Sequence, residues 1–315
     1  MASRLSLRRR RLREMALTAF ALSAPLLLPL GINQPGLVSH AVAEEMPMID
    51  TSRLVSIGGA ITEIVYALGE EGRLVARDST STYPQATQAL PDIGYMRALS
   101  PEGVLAVNPS AILSIEGSGP PDALAVLKSA GVPFETIPEG FDRAAILNKI
   151  TAVGHLLGVP DRAKALAETV RADLDAAIAD ADRRPVAERK RVLFILSFQD
   201  GRVMASGAHT AADGILTLAG AVNATEGAFQ GYKPLSDEAI IEARPDVILV
   251  MTRGGAHDTG DAEILAHPAI ALTPAAATKS VIRMESLHLL GFGPRTASAI
   301  RELNERIYRK TNVSE

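Results

Sequence analysis

Leu99-Ser100-Pro101-Glu102 and Leu235-Ser236-Asp237-Glu238 open two stretches that run in parallel along the chain. The first continues through Val104 and Leu105 to Pro109 and Ala111-Ile112-Leu113. The second continues through Ile240 and Ile241 to Pro245 and Val247-Ile248-Leu249, at a constant offset of 136 residues. Six positions are identical: a leucine, a serine, a glutamate, a proline, an isoleucine and a leucine. Each copy has the same physical meaning. The serine caps a short helix whose first turn carries an acid, where the helix dipole favours negative charge. The proline closes that helix, and an apolar run follows as a buried strand. One supersecondary unit, a helix feeding a parallel strand, therefore occurs twice.

The surrounding sequence extends each copy into an α/β lobe. In the first, strands are expected at 53–57, 74–77, 111–115 and 132–137, with helices at 62–68 and 121–130. In the second, strands are expected at 191–197, 203–206 and 247–252, with helices at 211–218 and 298–308. Strands alternating with helices imply mostly parallel sheets. Between the lobes lies a helical connection over 142–184. Asp142 to Leu157 is amphipathic, Gly158-Val159-Pro160 breaks it, and a second helix runs from Asp161 to about Ala181. Its apolar positions at Ala163, Leu166, Val170, Leu174 and Ile178 keep helical spacing. The fold class is thus α/β, two Rossmann-like lobes (44–141 and 185–315) joined by a long helix. A ligand would sit between them, where strand ends and loops converge.

Composition narrows the function. The chain has 315 residues, no cysteine, 47% hydrophobic and 22% charged residues and a net charge of −4. The mild acidity argues against a nucleic-acid partner, which needs a concentrated basic face. The one dense basic run, Arg8 to Arg13, precedes an apolar stretch from Met15 to Leu30 and then Ala41-Val42-Ala43. That order reads as a secretory signal peptide over 1–43, cleaved after about Ala43, and places the protein in the periplasm. Without cysteine, no lipid-modified N-terminal Cys and no thiol catalysis are available. No G-x-S-x-G elbow, Walker loop or H-E-x-x-H occurs. Gly291-Phe292-Gly293-Pro294-Arg295-Thr296 begins like a dinucleotide motif, but its proline and sixth-position threonine make it a loop before the last helix. No two histidines beyond His40 stand at i, i+2 or i+4, so no short-range zinc constellation exists.

Three runs carry a family resemblance. Gly58-Gly59-Ala60-Ile61-Thr62-Glu63-Ile64-Val65-Tyr66-Ala67-Leu68-Gly69 resembles the opening of ABC-importer binding proteins for haem, siderophores and cobalamin. Asp78-Ser79-Thr80-Ser81-Thr82-Tyr83-Pro84 and Gly94-Tyr95-Met96-Arg97-Ala98-Leu99-Ser100 look like the periplasmic haem-binding branch. The resemblance implies a monomeric, non-enzymatic carrier that captures ferric haem as cargo and delivers it to an inner-membrane ABC permease dimer with its ATPase. It also implies residue roles. Tyr83 ligates the iron; a phenolate suits ferric iron, but the phenol must lose a proton held with an ordinary pKa of about 10. Arg253, after the Val247–Met251 strand, hydrogen-bonds that tyrosine. His209 supplies a second iron ligand from the other lobe, Arg77 and Arg97 pair with propionates, and Met96 furnishes an apolar wall. Glu102 and Glu238, matched in the repeat, dock onto permease arginines. Taken without the family, Tyr83 is a loop tyrosine packing beside Pro84, His209 is an exposed loop histidine, the arginines are solvated, and the glutamates complement helix dipoles. The alternatives are a siderophore or cobalamin carrier, and a periplasmic enzyme holding a metal between Tyr83 and His209.

Overall fold

Both copies of the repeat fold as the sequence dictates. Ser100 caps α2 (Pro101–Leu105), its hydroxyl accepting from the Gly103 amide at 3.4 Å. Ser236 caps α7 (Asp237–Ala243) by accepting from Ala239 at 3.3 Å. Each helix is followed by a left-handed residue at the same repeat position, Asn108 (φ 50°) and Arg244 (φ 43°). The strands that follow, β3 (Ala111–Ile115) and β9 (Val247–Thr252), are interior strands of two different sheets. A computed structural model describes residues 49–252 and 259–309. The expected signal peptide and Arg253 lie outside these described residues.

The first sheet holds β1 (Leu54–Ile57), β2 (Leu74–Arg77), β3 and β4 (Phe134–Ile137) in the order β2-β1-β3-β4, all parallel. Every residue of β1 and β3 is buried, as expected for parallel strands covered on both faces. The covering helices include α1 (Gly59–Ala67) and α3 (Pro121–Ser129). The second sheet holds β5 (Arg191–Gln199), β6 (Arg202–Ser206), β7 (Val222–Asn223), β8 (Tyr232–Pro234), β9 and β10 (Val281–Glu285). Its order is β10-β9-β5-β6-β8, with β7 paired to β5.

In this second sheet three pairings, β10–β9, β9–β5 and β5–β7, are parallel as expected, and an antiparallel edge makes it mixed. β6 runs antiparallel to β5 and to β8. Asp200 (φ 51°) and Gly201 (φ 70°) make a two-residue turn with both centres left-handed, the hairpin geometry that Asp-Gly favours. A loop that short cannot cross over to a parallel neighbour. Three strands (β7, β8 and β10) carry too weak a local pattern to be legible. The same holds for the short helices α8 (Asp261–Leu265), α9 (Pro274–Ala277) and α10 (Ser286–Leu290). α6 (Ala211–Leu218) falls where expected, while α1 and α11 (Thr296–Tyr308) each begin earlier than their periodicity indicates.

The connection is α4 (Arg143–Leu156), capped by Asp142, and the 23-residue α5 (Pro160–Asp182), with proline in its first turn. At 1.5 Å per residue α5 is about 34 Å long. Its buried face, Ala163, Val170, Leu174 and Ala177, belongs to one apolar core that runs from Leu54 and Ile112 through Val192 and Leu249 to Ile300 and Leu303. The two sheets thus share a core along the connecting helix and α11. Among the described residues no helix is long and apolar enough to cross a membrane.

Where α4 turns back along α5, Gly154 lies against Ala163. A Cβ there would lie 2.1 Å from the Ala163 Cβ. Gly154→Ala gains about 1 kcal/mol of helix propensity but forces the helices apart, at about 1–3 kcal/mol for overpacking. The expected outcome in urea unfolding is net destabilisation, with a lowered midpoint; a raised midpoint shows that the helices separate freely.

Candidate ligand-binding cleft

The strand ends of both sheets converge on a cavity of about 600 Å³. Gly58, Gly59 and Ala60 reach it after β1, Ile115 and Glu116 from β3, and Glu139 and Phe141 after β4. The other side is supplied by Leu196 of β5, Met251 of β9, Leu287 of α10 and the segment His209 to Ala211 that enters α6.

The β1 turn is built around a buried carboxylate. Asp78 is fully buried at the end of β2 and accepts four hydrogen bonds. They come from the Gly58 amide (2.9 Å), the Thr80 amide (3.0 Å), the Thr80 hydroxyl (2.6 Å) and the Ser81 hydroxyl (2.7 Å). The Thr80 hydroxyl also accepts from Gly59. The glycines are required by close approach. Gly58 has φ 110°, and a Cβ on it would lie 2.6 Å from Ile115. One on Gly59 would meet the Thr80 carbonyl at 2.8 Å and Leu287 at 2.4 Å.

The Gly94–Ser100 run forms the next part of the wall. Asp92 accepts from Arg77 (2.8 Å) and from the Gly94 amide (2.8 Å). Met96 and Gly119 pair through the backbone, and Leu99 donates to Gly119. Held in this way, Tyr95, Met96 and Arg97 all line the cavity. The Arg97 guanidinium donates to the Tyr95 hydroxyl at 2.8 Å. Tyr95 remains 41% exposed, so its phenol oxygen is accessible to a ligand. Sequence reading assigned no role to Tyr95. Its signal in the sequence is an aromatic two residues before Arg97 within the Gly94–Ser100 run.

Tyr83 is placed differently. At 43% its exposure is close to that of Tyr95, but it is not among the residues that line the cavity. The Arg295 guanidinium lies 3.5 Å from the centre of its ring, a cation–π stack. Arg295 is held by Glu63 of α1, whose carboxylate accepts from the Arg295 amide and from Nε, each at 3.0 Å. Burial pushes the Glu63 carboxyl above its ordinary value, and Arg295 pulls it back only in part. Neither Arg295 nor Glu63 was singled out in the sequence, because their pairing joins the first helix to the last loop. Arg77 also points elsewhere: besides Asp92 it donates to the carbonyls of Thr87 and Asp78, and it serves as a brace beneath the loop.

His209 does line the cavity, on the side of the second sheet. Its φ of 61° is left-handed, uncommon for a residue with a side chain, and its amide donates to Asp213 at 3.0 Å. Asp213 also accepts from the Asn223 side-chain amide at 2.9 Å, which holds its carboxylate beside the turn. Tyr232 joins the same wall, with its phenol raised by burial. The structure therefore brings Arg97, His209 and Met96 together with Tyr95, and separates Tyr83 and Arg77 from them. Glu102 and Glu238 are exposed in the first turns of α2 and α7. The Glu238 carboxyl is lowered by its own amide and the Ser236 hydroxyl.

The sequence profile of the periplasmic binding proteins matches residues 54–287. The fold is similar to that of the periplasmic haem-binding protein BhuT in complex with two haems, with a TM-score of 0.76 and 41% identity over 81% of this chain and 97% of that one. It is similar to the apo periplasmic haem-binding protein RhuT of Roseiflexus sp. RS-1, with a TM-score of 0.77 and 39% identity over 82% and 98% of the two chains. A vitamin B12-binding protein of Yersinia pestis (strain Pestoides F) is 26% identical over 206 residues, 65% of this chain and 71% of that relative.

Proposed function

This chain belongs to the periplasmic binding protein family, and on that premise we propose that it captures ferric haem in the cleft between its two sheets and delivers it to an inner-membrane ABC permease dimer with its ATPase. The observation that carries the reading is the Tyr95–Arg97 pair on the cavity wall, 2.8 Å apart, with His209 on the opposite side. A phenolate is a hard anionic donor suited to ferric iron, and a charged donor on the same oxygen stabilises it. The apolar surroundings, including Met96, Ile115, Leu196 and Leu287, suit a flat macrocycle that needs few polar anchors. In this reading Tyr95 ligates the iron through the phenol that Arg97 contacts, and Tyr83, which the motif resemblance implies and whose side chain is 43% exposed, is the competing phenol. His209 supplies the second ligand, and Arg97 serves the phenol before any propionate.

The remaining roles follow from the same reading. The chain is exported, loses its signal peptide and acts as a monomer in the periplasm. Glu102 and Glu238 present one carboxylate from each copy of the repeat to basic residues of the permease, where charge pairs set register. The test is a haemin titration of the mature protein, followed by absorption spectroscopy, with cyanocobalamin in parallel. Saturable binding with the spectrum of tyrosinate-ligated ferric haem is expected. Saturation by cyanocobalamin alone moves the chain to the cobalamin carriers.

A further inference from the structure

We propose that Glu116 and Glu139 form a carboxylate-excluding wall in the cleft, so that the protein accepts a porphyrin with its acidic groups on one edge and rejects one with acidic groups all round. The inference rests on the haem reading and names the substrate class within it. Both glutamates line the cavity, at the ends of neighbouring strands β3 and β4. They are coupled: Glu116 accepts from the Glu139 amide at 3.0 Å. Glu139 is fixed in place by Lys149, whose ammonium lies 2.6 Å from its carboxylate and also donates to the Phe292 carbonyl at 3.3 Å. Lys149 is only 1% exposed. Phe292 comes from the loop before α11, and its ring packs edge-on against Phe141 with 5.3 Å between ring centres. Among the described residues Glu116 takes part in no ion pair, and it is exposed toward the cavity.

The wall thus has two signs. Arg97 stands on the Gly94–Ser100 loop, and the carboxylates stand at the β3 and β4 ends. Haem carries two propionates on one edge and apolar substituents on the opposite edge. It can bind with its apolar edge toward the glutamates. A tetrapropionate porphyrin has no apolar edge and must bring a carboxylate against Glu116 or Glu139, where like charges in a confined site repel. Because Lys149 balances Glu139, Glu116 carries the larger share.

The experiment titrates haemin and iron(III) coproporphyrin III into the wild type, Glu116→Gln and Glu139→Gln. The wild type is expected to prefer haemin by at least about tenfold, and Glu116→Gln to shrink that preference several-fold, more than Glu139→Gln does. Equal wild-type affinity for both porphyrins, or an unchanged preference in Glu116→Gln, overturns the exclusion wall while leaving the haem reading intact. Failure of the wild type to bind haemin overturns the haem reading and this inference with it.

Discussion

Tyr95→Phe is expected to weaken haemin binding by more than about a hundredfold, because loss of a ligand should exceed the 10–100-fold cost of losing a group that merely supports one. Phenylalanine keeps the ring and removes only the oxygen that Arg97 contacts at 2.8 Å. The visible spectrum of any residual complex should lose its tyrosinate character. Tyr83→Phe is the discriminating control. Its ring packs under Arg295 outside the cavity, and the substitution retains that ring, so its haemin affinity should stay near the wild-type value. A large loss in Tyr83→Phe with none in Tyr95→Phe would return the iron to the residue that the motif resemblance implies.

Asp78→Ala should cost about 3–5 kcal/mol of stability, since it strips a buried carboxylate from four donors. Two of those donors are backbone amides that have no second partner in the turn, those of Gly58 and Thr80. A buried amide left unsatisfied costs about 1–3 kcal/mol. Gly58, Gly59 and Thr80 all line the cavity, so the damage should reach the ligand as well as the fold. Urea unfolding at neutral pH measures the first effect, and haemin titration of the folded fraction measures the second. Asp78→Asn keeps one acceptor oxygen and should lie between. A cost below about 1 kcal/mol for the alanine variant would show that water replaces the carboxylate, contrary to its complete burial.

Much of the scaffold was legible because its signals are local. The caps at Ser100, Ser236 and Asp142 each satisfy an amide three residues on, within reach of any chain that starts a helix there. The period of α5 names its own buried face. The apolar runs at 111–115 and 247–252 can be nothing but buried strands once a proline has ended the preceding helix. The antiparallel edge of the second sheet is local too: Asp200-Gly201 between two apolar runs is a hairpin turn signal. β10 was not legible: Val281 to Glu285 alternates weakly and carries Arg283, whose charge is taken up by Asp261 from another element.

The functional residues divide in the same way. Sequence alone determined the family, the repeat, and the two loops that would supply the cleft, because motif residues are read in order along the chain. It could not decide between the phenols of Tyr83 and Tyr95, both in glycine- and proline-flanked loops of the same lobe. Their different surroundings are tertiary: Arg295, which arrives from the far end of the chain and is held by Glu63, stacks on the Tyr83 ring, while Arg97, two residues away, donates to the Tyr95 phenol on the cavity wall. The charge of the cavity wall was likewise a tertiary matter. Glu116 and Glu139 look like ordinary solvated acids until β3 and β4 pair and Lys149 is buried behind them, because only the packing of separate elements determines which carboxylates a ligand must meet.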